Sequence, residues 1–306
     1  MQKYFGPVEY MSAWIMAIRP RTLPAAIGPI FLGNALAWSH GYFTWLIAIS
    51  SMLCALLLQI GVNLANDYFD FKSGVDTDER LGPTRVTQQG LLAPEAVRNA
   101  MAMSLIMAVT VGLYLIYIAG PVVAFLAAFS VLGALCYSGG PYPLASHGLG
   151  EVAAFLYFGL VAIVGVYFIQ TGTTVYEAWF VASCLGLLNA AIMLVNNTRD
   201  ISTDQKAGKR TLAVRIGQAN CRSLYAVLVY LPFILVILHW LFGDLRGFCV
   251  LAILFAMPLA RNLVSAFQQQ QGAALNPLLG KTAMLTLLFS LLLSAGLIAS
   301  RLFPVS

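Results

Sequence analysis

Long apolar runs recur along the chain, separated by short polar stretches. The clearest lie at 45–60, 101–118, 224–238 and 285–298. Extended by their flanks, each reaches the roughly 20 residues that a spanning helix needs. The runs are continuous rather than alternating, which predicts helices and not the strands of a barrel. The pattern predicts nine spans, at 22–38, 43–66, 95–118, 121–138, 149–170, 176–197, 221–242, 246–267 and 282–302. Residues 11–18 read as a short amphipathic helix lying on the membrane before the first span. Residues 1–20 carry Lys3, Glu9 and Arg19 with no small-residue cleavage site, unlike a cleaved signal.

Composition strengthens the membrane reading. The chain has 306 residues, 60% of them hydrophobic and only 9% charged. Soluble domains carry about 25% charged residues, so most of this surface must face lipid. The expected fold is all-α: one transmembrane domain over 1–306, with about nine helices around a central cavity. Membrane lipid is an expected partner and nucleic acid is not. Five cysteines lie mostly inside apolar runs without metal-ligand spacing, and His40, His147 and His239 are isolated.

Nine spans divide the basic residues unevenly. Fifteen of the 17 Lys and Arg fall on the side of the N-terminus and of the loops 68–94 and 198–220, leaving Arg246 and Arg301 opposite. The positive-inside rule places the fifteen in the cytoplasm. Eight of the 12 acidic residues lie in or beside the same two loops: Asp67, Asp70, Asp76, Asp78, Glu79, Glu95, Asp200 and Asp204.

An internal repeat underlies that concentration. Asn66 and Asp70 match Asn196 and Asp200 at an offset of 130, and TDERLG at 77–82 matches TDQKAG at 203–208 at an offset of 126. Asn63, Asn66, Asp67 and Asp70 recur at helical spacing and so share a face, as do Asn196, Asp200 and Asp204. Carboxylates crowded at a membrane surface repel one another and resist desolvation. A hard divalent cation removes both problems, and Mg²⁺ commonly uses one or two carboxylates plus substrate phosphate. Interleaved basic residues, among them Lys72, Arg85, Arg199, Lys209 and Arg210, suit phosphate oxygens. Acids for metal and bases for phosphate make a diphosphate site, and a polyprenyl tail would lie among the spans. The rings of Tyr68, Phe69, Tyr137 or Tyr157 suit stabilisation of an allylic cation.

Four segments together resemble the UbiA superfamily of intramembrane prenyltransferases: RPRTLP at 19–24; NDYFD at 66–70 continuing to Asp76; GPYPL at 140–144 with His147, Gly150 and Glu151; and NTRD at 197–200 continuing through Asp204 to Arg215. Within the superfamily they are most similar to the branch that prenylates 1,4-dihydroxy-2-naphthoate for menaquinone. That resemblance implies Mg²⁺-dependent ionisation of a polyprenyl diphosphate, attack on the electron-rich ring and loss of CO₂. It implies Asn66, Asp70, Asp76, Asn197, Asp200 and Asp204 as metal-diphosphate ligands, with Asn63, Asp67, Asp78 and Asn196 as secondary ones. The superfamily often spaces its first motif as Asp, three residues, Asp, yet here Gly74 stands four residues after Asp70. The resemblance favours Asp76 as the distal ligand and the internal repeat favours Asp78. Arg21 is the candidate for the acceptor carboxylate, with Tyr137, His147 and Glu151 as further acceptor contacts. The alternatives are a 4-hydroxybenzoate polyprenyltransferase and, in another class, a secondary transporter with repeat symmetry.

Overall fold

The structure is a computed structural model describing residues 7–72, 81–82, 85–242 and 247–303. Twelve α-helices run in order among these residues. They are α1 (Pro7–Ile18), α2 (Pro24–Ser39), α3 (Trp45–Lys72), α4 (Pro94–Ala119), α5 (Pro121–Ser138) and α6 (Gly150–Ala154). There follow α7 (Ala162–Thr171), α8 (Tyr176–Arg199), α9 (Ile201–Lys206), α10 (Leu212–Phe242), α11 (Leu251–Gln269) and α12 (Asn276–Leu302). A π-helical stretch, Phe155–Val161, joins α6 to α7 into one span, Gly150–Thr171. The described residues contain no strand.

The termini follow from local chemistry. Proline stands in the first turn of α2, α4, α5 and α12, where its missing N–H costs nothing. Gly172, at φ 76°, ends α7 in the left-handed region open to glycine. The gap at Gly120 is a real turn: one residue separates α4 from α5.

Eight helices among the described residues are long and apolar enough to cross a membrane. The other predicted span, α2, has 16 residues, about 24 Å at 1.5 Å per residue, shorter than the hydrocarbon core. It is nonetheless part of the bundle, packed on α12 and α7. By contrast α3 has 28 residues, about 42 Å, so its motif-bearing end projects past the core.

Helix α3 packs on α4, and α8 on α10, so the two copies of the repeat share an order: motif helix, loop, returning helix. Their settings differ. In α8, 67% of the apolar window is buried, against 28% in α3. Lipid offers no hydrophobic drive between helices, so close approach depends on small residues. At the π-helical stretch, a Cβ on Gly159 would stand 2.7 Å from the Ala182 carbonyl oxygen and from Gly186 Cα on α8. Two glycines thus bring α8 against this span, and the widened turn directs Tyr157 and Phe158 to the interior.

Candidate active site

A cavity of about 840 Å³ opens among the helices. At one end it is lined by Asn66, Asp70, Asn196, Asn197, Asp200 and Asp204. At the other it ends among apolar residues of α4, α5 and α7, including Leu115, Ile116, Val123 and Ile169. The two motifs therefore meet on one chamber at one end of the bundle, as their repeat predicts. Small side chains, among them Ala55, Ala108, Gly112, Ala127 and Gly165, leave its body open and apolar.

The first motif is completed by the loop that follows α3. Arg85 lines the cavity and its Nη2 lies 2.5 Å from Asp70 Oδ2. Asp67 is 1% exposed, does not line the cavity, and accepts hydrogen bonds from the backbone N–H groups of Val86 and Thr87, each at 3.1 Å, and from the Thr87 hydroxyl. Asp67 thus corrects the prediction of one shared face. Asn63, Asn66 and Asp70 turn to the cavity, while Asp67, on the edge of the stripe, anchors the returning loop. Asn63 lines the cavity but spends its amide N–H groups on the Ile18 carbonyl (2.8 Å) and Thr22 Oγ1 (3.0 Å). Ser138 donates to Asn66 Oδ1 at 2.5 Å.

The second motif carries its own clamp. Arg199 grips Asp200 in a two-point fork, Nε to Oδ1 at 2.8 Å and Nη2 to Oδ2 at 2.6 Å. The same guanidinium donates to Asn196 Oδ1 at 2.9 Å and Asn276 Oδ1 at 3.0 Å. Asn276 in turn donates to the Leu81 carbonyl at 2.8 Å, joining the second motif to the loop of the first. Glu151, predicted to touch the acceptor, stands behind the cavity wall and receives Asn197 Nδ2 at 2.9 Å. That bond commits the amide nitrogen and leaves Asn197 Oδ1 for the cavity. Lys209 lines the cavity 3.9 Å from Asp204.

Several predicted contacts lie elsewhere. Arg199 is 2% exposed and holds the motif from behind, so it does not present itself to a phosphate. Lys72 and Arg210 are exposed and off the cavity. Arg21 is exposed as well, whereas Arg19 lines the cavity. The reason is local: Arg19 has φ 55° and ψ 68°, turning the chain at the end of α1 so that neighbouring arginines point apart. His147 stacks on Tyr142 (3.6 Å) and its Nδ1 pairs with the Pro143 carbonyl, which organises a loop away from the cavity. Tyr68 packs with Phe69 against the core beside α1. Tyr137 and Tyr157 do line the cavity, their hydroxyls directed to Met193 Sδ (3.0 Å) and the Phe129 carbonyl (3.2 Å). Asp76 and Asp78 lie outside the described residues.

Sequence reasoning passed over Arg19, Gln59 and Asn189, all on the cavity wall. For the amides a signal existed: each is a polar residue inside an apolar span, seven positions before a motif asparagine.

Residues 26–285 match the model of the UbiA prenyltransferase family. A 1,4-dihydroxy-2-naphthoate octaprenyltransferase of Escherichia coli (strain K12) is 33% identical over 300 residues, covering 96% of this chain and 97% of its own. One of the same name from Mycobacterium tuberculosis is 36% identical over 291 residues, 94% of this chain and 98% of its own. The solved structure of a UbiA homolog from Archaeoglobus fulgidus bound to GPP and Mg²⁺ superposes with a TM-score of 0.66 at 15% identity, covering 94% of this chain and 99% of that one.

Proposed function

The chain belongs to the UbiA prenyltransferase family, and from that premise we propose that it transfers a polyprenyl group from polyprenyl diphosphate to 1,4-dihydroxy-2-naphthoate. Diphosphate and CO₂ leave, and demethylmenaquinol forms. The observation that carries the reading is one chamber with two Asn/Asp motifs at its mouth and an apolar body behind them. The names of the bacterial relatives support the choice of acceptor. We also read 1–306 as a single transmembrane domain of the bacterial inner membrane. On the Lys and Arg asymmetry, its N-terminus and active-site loops face the cytoplasm.

The donor set fits Mg²⁺ delivered with diphosphate. Asp70 and Asp200 give one carboxylate per motif, with Asp204 and the oxygens of Asn66 and Asn197 beside them. Mg²⁺ commonly takes one or two carboxylates together with substrate phosphate oxygens, which this donor set would suit. Bound there, Mg²⁺ supplies charge neutralisation of the departing diphosphate. Arg85 and Lys209 hold phosphate oxygens from the mouth, while Arg199 keeps Asp200 aimed. The tail lies along the small side chains of α4, α5 and α7. Ionisation breaks the bond from prenyl C1 to oxygen, and the ring faces of Tyr137 and Tyr157 stabilise the allylic cation. A C–C bond then forms at the ring, and the ring carboxylate, faced by Arg19 in place of Arg21, leaves as CO₂.

The test is mass spectrometry of products from purified protein given Mg²⁺, a series of prenyl diphosphates and either aromatic acid. Demethylmenaquinol is the expected product. Product from 4-hydroxybenzoate but none from dihydroxynaphthoate would overturn the acceptor assignment.

A further inference from the structure

Two amide oxygens on the cavity wall are buried with nothing to accept from. Gln59 on α3 and Asn189 on α8 line the cavity and are 7% and 2% exposed. Gln59 Oε1 and Asn189 Oδ1 are each buried without a hydrogen-bond partner. Neither amide gains by turning over. Gln59 Nε2 donates to Thr22 Oγ1 at 3.3 Å, and that hydroxyl donates to the Arg19 carbonyl at 3.0 Å. Asn189 Nδ2 donates to the Leu185 carbonyl at 3.1 Å. A flip would set oxygen against oxygen in both places. Ser51 Oγ on the same wall is also unpartnered, but a hydroxyl both donates and accepts and so makes no such one-sided demand.

The two positions are counterparts. Gln59 precedes Asn66 by seven residues and Asn189 precedes Asn196 by seven, so the offset of 130 that relates the motifs also relates the amides. Seven helical residues span about 10 Å. The amides therefore form a second polar layer two turns inside the motif layer, one member on each motif helix.

A buried amide oxygen calls for an N–H or O–H donor. Ionised diphosphate offers only acceptors, and a prenyl tail offers neither kind of group. Among the groups that the proposed reaction brings into the cavity, the phenolic hydroxyls of the aromatic acceptor are the donors. We propose that Gln59 and Asn189 form the hydroxyl-recognition site of this chain, receiving the phenolic O–H groups of a hydroquinone-type acceptor. The inference rests on the prenyl-transfer reading above. Holding the hydroxyls fixes which ring edge meets prenyl C1, and accepting from an O–H enriches the ring that must act as nucleophile. A site built this way discriminates against acceptors that lack the hydroxyl.

The experiment is steady-state kinetics on detergent-purified wild type, Gln59→Met and Asn189→Leu. Acceptor and prenyl diphosphate are varied separately, with dihydroxynaphthoate and its two mono-O-methyl ethers as acceptors. Each substitution is expected to raise the acceptor KM about tenfold, with the KM for prenyl diphosphate within about twofold. At least one ether should be a poor acceptor for wild type and no worse for one of the variants. Equal proportional loss on hydroxylated and methylated acceptors, or a parallel rise in both KM values, would mean a packing defect and overturn the proposal. Wild-type protein that uses both ethers as well as the parent compound overturns it without any variant. Wild type that prenylates no aromatic acid defeats the functional reading itself, whereas normal prenylation with unchanged acceptor KM in both variants defeats only this inference.

Discussion

The motif end of α3 and the motif end of α8 are two copies of one sequence pattern, built in two different ways. At α8 the clamp is local: Arg199 is the residue before Asp200, and its guanidinium forks onto that carboxylate. The helix itself is the most buried of the spans among the described residues. At α3 the clamp comes from the following loop: Arg85 stands 15 residues after Asp70, and the loop that brings it is fastened by Asp67 to Val86 and Thr87. One half of the site is part of the core, and the other half is assembled by a loop. The difference teaches that a duplicated motif specifies ligands but not their supports, which depend on the packing around each copy.

The most severe test of the comparison removes the carboxylates. Asp70→Asn and Asp200→Asn should each lower kcat/KM by about 10²–10³-fold while raising the Mg²⁺ concentration for half-maximal rate. Full prenyl transfer in either would end the shared-site reading. The supports come next. Arg199→Met strands the Asp200 carboxylate and the amide oxygens of Asn196 and Asn276, and should destabilise the protein by about 3–5 kcal/mol, read as thermal unfolding in detergent. Arg85→Met, on the loop-built half, should lower activity with a smaller loss of stability; the reverse order would break the comparison. Glu151→Leu, which frees the Asn197 amide, should cost about tenfold or more in Mg²⁺ affinity or rate, and Glu151→Gln, which keeps an acceptor oxygen, should recover most of it.

Asp67→Asn sharpens the contrast within one helix. It should weaken the loop by about 1–3 kcal/mol, seen as faster proteolysis near residue 85, without the shift in Mg²⁺ requirement expected of Asp70→Asn. At the small end, Lys72→Ala and Arg210→Ala should change kcat/KM by less than about twofold, since surface substitutions away from such features shift energies by about 0.5 kcal/mol or less.

Much of the site was legible because helical spacing converts directly into shared faces. Asn66 with Asp70, and Asn197 with Asp200 and Asp204, were assigned from that spacing and the resemblance, and all five line the cavity. The misplacements share one cause. Asp67 and Arg199 lie at the edge of a stripe, where one neighbouring element decides whether a side chain turns to the cavity or to the core. Arg19 and not Arg21 lines the cavity, because the left-handed turn at Arg19 points the neighbouring arginines apart. Gln59 and Asn189 were hidden inside runs read only for hydrophobicity.

By itself the sequence determined that this chain lives in lipid, that its acids gather at one end, and that an Asn/Asp pattern is repeated on two helices. Charge scarcity and residue spacing are properties of the chain alone, so they survive without coordinates. Only the tertiary structure decided which oxygens face the chamber, which arginine clamps and which is exposed, and that two amides wait deeper inside. Those outcomes are set by contacts between residues far apart in the chain, where a rotation of one side chain exchanges a ligand for a support.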